Sequence, residues 1–296
     1  MLGAPGVAWI ERLPAIVNAC AQRWSLTLDP PFPQLSINYA APGLGADGVP
    51  IVLKVCIPGP EFATEAESLR LFDGHGAVKL LAVDRDQGAL LLERLRPGTP
   101  LLDIDKVAAP TDDDEKATRI AASVMRQLWQ PAPASHPFPS FADWMRHMAE
   151  QSPRLVRPDK PLLRHWIARA LDVYSELTAK PAEPVLLHGD LHHGNILRAE
   201  REPWLAIDPK GVVGESVCET GPLLLNALPD ASDLAETRRV LARRADVLAD
   251  VLGFDRAAVR AWGVVRAVLA SFWTLEDHGR ENLADLMCAE ALAARR

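Results

Sequence analysis

The sequence predicts an α+β fold of two unequal lobes, a small N-terminal antiparallel sheet carrying one helix and a larger, mainly helical C-terminal part. Three observations predict it. The first third of the 296 residues mixes short strand-like runs with one helical pattern, whereas the remainder is mostly helical. Apolar runs at 36–41 and 50–56 flank Gly45-Ala-Asp47-Gly48, and an Asp-Gly between such runs is a strong hairpin signal. One β-rich insertion, 185–208, interrupts the helical half.

In chain order, Trp24-Ser-Leu-Thr-Leu28 reads as a strand before the hairpin, and Lys54 falls on the second hairpin strand. Thr64-Glu-Ala-Glu67 reads as a capping box opening a helix that stops at Gly74 or Gly76. Glu65, Leu69 and Phe72 then share one helical face. A carboxylate beside two apolar anchors points inward and needs a cation, which Lys54 can supply; the competing reading is a solvated first-turn charge favoured by the helix dipole. Residues 88–93 form a further strand, and the loop 94–100 with Pro97-Gly98 joins the lobes, dividing the chain into 1–95 and 96–296.

The second lobe opens with an acidic helix start, Thr111-Asp-Asp-Asp-Glu115, followed by Ala117, Ile120, Ala121, Val124 and Leu128 at helical spacing. A loop with four prolines covers 131–139, and helices follow at 141–151, 161–179, 237–252 and 256–277.

Composition excludes some functions. A 48% hydrophobic content suits a globular core, and 32 basic against 39 acidic residues give a formal net charge of -7, the wrong sign for nucleic acid and compatible with a cationic substrate. Cys20, Cys56, Cys218 and Cys288 have no zinc-like or disulfide-framework spacing. The N-terminal segment lacks a secretory pattern, and no apolar run reaches the roughly 20 residues of a membrane span, so a cytoplasmic protein without a membrane partner is expected. No oligomeric state is indicated.

The chemistry lies in the insertion, where His188-Gly-Asp190-Leu-His-His-Gly-Asn195 precedes Ile207-Asp208. If Ile196 pairs with Ala206 in a hairpin, Asn195 and Asp208 lie side by side at its open end, where the turn bearing Asp190 also enters. Two carboxylates and an amide oxygen suit Mg²⁺, which prefers oxygen ligands and leaves positions for phosphates and water. Asp208 and Asn195 would hold the metal, Asp190 would accept or orient the proton of an attacking hydroxyl, and Lys54 would pair with phosphates.

These residues resemble the catalytic and metal-binding segment of the aminoglycoside phosphotransferases, small-molecule relatives of the protein kinases. Arg201-Glu-Pro-Trp-Leu-Ala-Ile-Asp-Pro209, Val213-Gly-Glu215, Leu90-Leu-Leu-Glu-Arg-Leu95, Trp24 and Trp273-Thr-Leu-Glu-Asp277 resemble the streptomycin and hydroxyurea phosphotransferase branch over nearly the whole chain. The resemblance implies a protein-kinase-like two-lobe fold and ATP-dependent phosphorylation of a hydroxyl on a small molecule, a streptomycin-type aminoglycoside first and hydroxyurea second, with other antibiotics or metabolites open. It implies Asp190 as catalytic base, Asn195 and Asp208 as Mg²⁺ ligands, and Lys54 on the phosphates with Glu65 as its partner. Glu93, Arg94 and Leu95 would form the hinge that receives adenine, and Glu215, Glu219, Glu276 and Asp277 are candidates for a cationic acceptor. Where a glycine-rich phosphate loop would lie, the sequence is Asp29-Pro-Pro-Phe-Pro-Gln34. Two other readings stand beside this one. Gly189-Asp190-Leu-His192 also resembles an element of binuclear metallophosphoesterases, with His188, His192 and His193 as nitrogen ligands, and a nucleotide-binding module without catalysis would retain the same lobes.

Overall fold

The computed structural model describes residues 3–33, 37–57, 59–102, 112–180, 182–228 and 233–294. Helix α1 (Gly3–Arg23) leads into a five-stranded antiparallel sheet built from β1 (Thr27–Leu28), β2 (Tyr39–Leu44), β3 (Pro50–Val55), β4 (Leu80–Asp84) and β5 (Ala89–Glu93). Its order is β1-β2-β3-β5-β4, with α2 (Pro60–Phe72) between β3 and β4. The Asp-Gly hairpin forms as expected, with Leu44 opposite Pro50. Its first run was expected from Ser36, which lies outside the described residues, as does the Thr111 helix start.

The helical part comprises α3 (Asp112–Leu128), β6 (Gln130–Pro131), α4 (Phe141–Leu155) and α5 (Pro161–Leu177), then β7 (Val185–Leu187), β8 (Ile196–Arg198), β9 (Trp204–Ala206) and β10 (Val212–Gly214). It closes with α6 (Thr220–Leu225), α7 (Leu234–Leu252), α8 (Arg256–His278) and α9 (Leu283–Ala293). Strands β10, β7 and β6 form a small sheet, and β8 and β9 a separate hairpin in which Ile196 faces Ala206, the expected register.

Two expectations are corrected. Helix α2 starts four residues before the expected capping box, at Pro60, where proline's missing N–H costs nothing because first-turn amides are unpaired anyway. Thr64 therefore sits inside the helix and donates its hydroxyl to the Glu61 carbonyl, while Glu67 pairs with Arg70. Helix α1 was not expected at all, because Pro14 interrupts its pattern. Its Trp9, Ile16 and Cys20 pack with Leu53, Val55 and Ala89 as a small core on one side of the sheet. Helix α8 is long and apolar enough by length and composition to cross a membrane, yet 67% of that window is buried inside the protein, where it is the central core helix.

Main-chain bonds lock the site hairpin to the first lobe. Val78 N–H donates to the Ala206 carbonyl and Ala206 N–H to that of Gly76, both at 2.8 Å. Arg201, in the hairpin turn, donates to the carbonyls of Gly74 and Ala77 and pairs with Glu93. The linker after β5 runs along the other side, with Leu101 N–H donating to Ile196 and Arg198 N–H to Thr99.

In the helical part, the buried Arg244 of α7 pairs with Asp114 of α3 at 2.6 Å and donates to the carbonyls of Leu223, Leu224, Asn226 and Ala227. Breaking a buried pair leaves an uncompensated charge. Arg244→Met is expected to lose about 3–5 kcal/mol in urea unfolding; a loss no greater than that of an ordinary surface substitution would show that the pair is not structural.

Candidate active site

Lys54 on β3 is buried, and its ammonium lies 2.6 Å from Glu65 Oε1 on α2 and 3.1 Å from Asp208 Oδ1 beyond β9. Glu65 is brought inward by the face that buries Leu69 and Phe72, and its other oxygen accepts from the Cys56 thiol at 3.7 Å. Burial opposes the charge on Lys54, but the Asp208 and Glu65 carboxylates outweigh it and hold its pKa above the ordinary value. Burial raises that of Glu65 despite the attraction of Lys54.

The turn after β7 is organised around His188. Its Nε2 donates to the Ile207 carbonyl at 2.8 Å and its Nδ1 accepts from Asp190 N–H at 3.3 Å, which assigns both ring nitrogens in a neutral imidazole. Full burial pushes its pKa down to about 4. The His188 carbonyl in turn accepts from the N–H groups of Lys210 and Gly211. Gly189 adopts φ +83, and a Cβ there would meet Val212 Cγ1 at 3.0 Å, so the turn requires glycine.

Asn195 Nδ2 donates to the Asp190 carbonyl at 3.0 Å, leaving its Oδ1 as the free acceptor, and Ile207 N–H donates to the Asn195 carbonyl at 2.9 Å. Asp208 is a non-glycine residue at φ +59, a sparsely populated conformation found at functional sites, and its side chain is 47% exposed. Lys54 takes Oδ1, so Oδ2 is available. One carboxylate oxygen and one amide oxygen at a partly open position form a donor set that fits a hard cation such as Mg²⁺.

Asp190 lies between two cations that sequence reasoning missed. Arg266 of α8 reaches Oδ1 at 3.3 Å and Lys210 lies 3.7 Å from Oδ2. Burial works against ionisation of Asp190, but these cations more than offset it and its pKa falls below the usual range. Both also lie over the Trp273 ring, at 4.8 Å for Arg266 and 5.2 Å for Lys210, and Trp273 meets Trp144 of α4 edge to face at 5.1 Å. Lys210 had a visible signal, its place two residues after Asp208. Arg266 had none, being 76 residues from its partner within an apolar helix.

The remaining expectations fall differently. Glu219 does not face a substrate: it is buried, and its oxygens accept from His188 N–H at 2.6 Å and Gly189 N–H at 2.9 Å, bracing the turn from below. Glu215 is half-buried, and burial raises its pKa. Glu276 and Asp277 are exposed near the end of α8, with Glu276 Oε1 at 2.8 Å from His147 Nε2. At the expected hinge, Glu93 N–H donates to the Lys79 carbonyl and Arg94 N–H to that of Pro50, so neither amide is open to a nucleotide base, and the Glu93 side chain holds Arg201. The histidines do not form the rival metal site: both nitrogens of His188 are used, His193 is fully buried, and among the described residues no group of three His, Cys, Asp or Glu is placed to hold a metal.

Burial raises the Glu219 pKa to about 7, against the pull of the two N–H donors. Between the unfolded value near 4.5 and about 7 the folded state holds the extra proton, so this group's contribution to stability falls as pH rises through that window and is flat above it. Glu219→Gln is expected to remove that slope. It also turns a donor toward a backbone N–H, costing about 1–3 kcal/mol in denaturant unfolding. A variant as stable as the parent, with the same pH slope, would remove Glu219 from this role.

Comparison with known proteins agrees with the geometry. The family model for aminoglycoside/hydroxyurea antibiotic resistance kinases matches residues 36–278. The chain is 35% identical over 280 residues to streptomycin 6-kinase of Streptomyces glaucescens, covering 93% of this chain and 87% of that one. It is 35% identical over 282 residues to hydroxyurea phosphotransferase of Kitasatospora aureofaciens, covering 93% and 77%. The choline kinase structure from Streptococcus pneumoniae superposes with a TM-score of 0.67 at 12% identity, covering 96% of this chain and all of that one, a likeness of fold. The chain belongs to the aminoglycoside/hydroxyurea antibiotic resistance kinases and is an ATP-dependent small-molecule phosphotransferase of the protein-kinase-like fold.

Proposed function

We propose that the protein transfers the γ-phosphoryl group of ATP to a hydroxyl of a small molecule, a streptomycin-type aminocyclitol first and hydroxyurea second. The observation that carries this is the convergence of Lys54, Asp190, Asn195 and Asp208, which come from a strand, a turn and the two chains at the open end of a hairpin. Residues 1–95 act as the nucleotide lobe and 96–296 as the catalytic and acceptor lobe. Lys54, held by Glu65, neutralises the α and β phosphates. The hinge 93–95 takes the adenine edge through its carbonyls and the Leu95 amide, since the Glu93 and Arg94 amides are committed. Asn195 Oδ1 and Asp208 Oδ2 would hold Mg²⁺, which when bound neutralises phosphate charge. Asp190 orients the acceptor hydroxyl and takes its proton.

The net charge of -7 and the exposed Glu276 and Asp277 favour a cationic acceptor, which puts the streptomycin type first, and relatives named for streptomycin and hydroxyurea support both substrates. Glu215 is a secondary acceptor candidate. We place the protein in the cytoplasm, acting without a nucleic-acid or membrane partner.

With Mg·ATP and a panel containing streptomycin and hydroxyurea, Asp190→Asn is expected to lower kcat about 10²–10⁴-fold with little change in the KM for ATP. Undiminished turnover would eliminate Asp190 as the base, and ATP binding without transfer to any acceptor would favour the non-catalytic module. Neutralising Glu276 and Asp277 together is expected to raise the streptomycin KM by about 10-fold while sparing ATP hydrolysis. An unchanged KM would place the acceptor face elsewhere.

A further inference from the structure

Phosphoryl transfer needs donors around the three equatorial oxygens of the moving group, because its catalysis is mostly charge neutralisation. The described start of the connection after β1, residues 29–33, does not supply them. In residues 29–33 the Asp29 N–H is committed to the Pro42 carbonyl and the Phe32 N–H to Ala40, and Pro30, Pro31 and Pro33 have none. No backbone amide of this described stretch is open to a phosphate. Lys54, enclosed between Glu65 and Asp208, is assigned to the α and β phosphates and leaves the γ-phosphoryl oxygens to other donors.

Two cations remain beside the base, and they differ in freedom. The Arg266 side chain is 8% exposed, packed within α8 and against Gly221, whose added Cβ would meet Arg266 Cβ at 2.7 Å. The Lys210 side chain is 36% exposed. Its backbone is fixed, following Pro209 and donating to the His188 carbonyl at 2.9 Å. Its ammonium is not: it lies 3.7 Å from Asp190 Oδ2, beyond hydrogen-bonding distance, and 5.2 Å from the Trp273 ring centroid. The lysine therefore sits on a fixed backbone two residues after Asp208 and beside Asp190, with its ammonium on a flexible four-carbon stem.

We propose that Lys210 is a further catalytic residue, whose ammonium leaves Asp190 for the γ-phosphoryl group and neutralises its oxygens in the transition state. It does with a side chain what amides of a glycine-rich loop would otherwise do. The acceptor hydroxyl oxygen bonds to the γ-phosphorus as the bond from that phosphorus to the β,γ-bridging oxygen breaks. The breaking bond's electron pair stays on that oxygen in ADP, and the hydroxyl proton passes to the Asp190 carboxylate. Departure of Lys210 also frees Oδ2 to receive that proton, while Arg266 keeps Oδ1 oriented. This inference rests on the assignment of Asp190 as the base.

The test compares Lys210→Met, Lys210→Gln, Lys210→Arg and Asp190→Asn in the full chain, using Mg·ATP with streptomycin. Turnover is measured beside two binding constants, for AMP-PNP and for ADP with aluminium fluoride, a mimic of the moving phosphoryl group. Lys210→Met and Lys210→Gln are expected to lose about 10²–10³-fold in kcat, with the KM for ATP and the affinity for AMP-PNP within about threefold of the parent. They should lose the tightening of ADP by aluminium fluoride by a comparable factor, and Lys210→Arg should recover part of both. Near-parental kcat in Lys210→Met while Asp190→Asn is inactive would overturn the Lys210 role alone. Equal weakening of AMP-PNP and the aluminium fluoride complex would also overturn it, as a ground-state contact. Turnover retained in Asp190→Asn would remove the base, and this proposal with it.

Discussion

The buried ammonium of Lys54, shared between Glu65 and Asp208, is the interaction on which the rest of the site depends. A charge withdrawn from water is tolerated only when partners replace the lost hydration, and removing one partner of such a set is far more costly than its presence is stabilising. The three groups come from β3, α2 and the segment after β9, so their relative positions are coupled through one cation. The main-chain ladder between residues 76–78 and Ala206 acts in the same direction, fixing the chain that leaves α2 to the strand that leads to Asp208. Because Lys54 takes one oxygen of Asp208 and leaves the other, the same contact that joins the lobes also orients the carboxylate proposed to hold the metal.

The turn that carries Asp190 shows a complementary economy. His188 uses both ring nitrogens, its N–H and its carbonyl within the fold, with none directed at a substrate. Glu219 is buried to receive two amides of the same turn although burial drives its pKa toward neutrality. Asp208 holds a left-handed backbone conformation that most residues avoid. The buried Glu219 carboxylate and the left-handed Asp208 backbone are unfavourable in isolation, and with His188 they fix the backbone that carries Asp190, Asn195 and Asp208.

Much of this was legible in the sequence where local rules decide the outcome. The Asp-Gly turn determines the register of β2 and β3 and hence the place of Lys54. Helical spacing alone turns Glu65 inward with Leu69 and Phe72, and the pairing of Ile196 with Ala206 brings Asn195 beside Asp208. The rest depended on tertiary contacts. Glu219 reads as an available carboxylate until its burial beneath the turn is known. Arg266 is flanked by Val265, Ala267, Val268 and Leu269 and reads as an interruption in an apolar helix, with nothing to indicate Asp190 as its partner. Helix α1 carries Trp9, Leu13, Ile16, Val17 and Cys20 at helical spacing, a signal masked by Pro14. The Thr64–Glu67 pattern matched a capping box by composition, but Pro60 had already started the helix.

The central claim is that Lys54, Glu65 and Asp208 act as one unit, and a double-mutant cycle between Lys54→Met and Glu65→Gln on kcat/KM for ATP tests it most directly. If the unit exists, either change alone disables most of what the pair does. The double variant then loses little more than the worse single, giving a coupling energy of about 2–3 kcal/mol. Losses that add to within about 0.5 kcal/mol would contradict the account, showing that Glu65 and Lys54 contribute independently and that the buried contact does not organise the site.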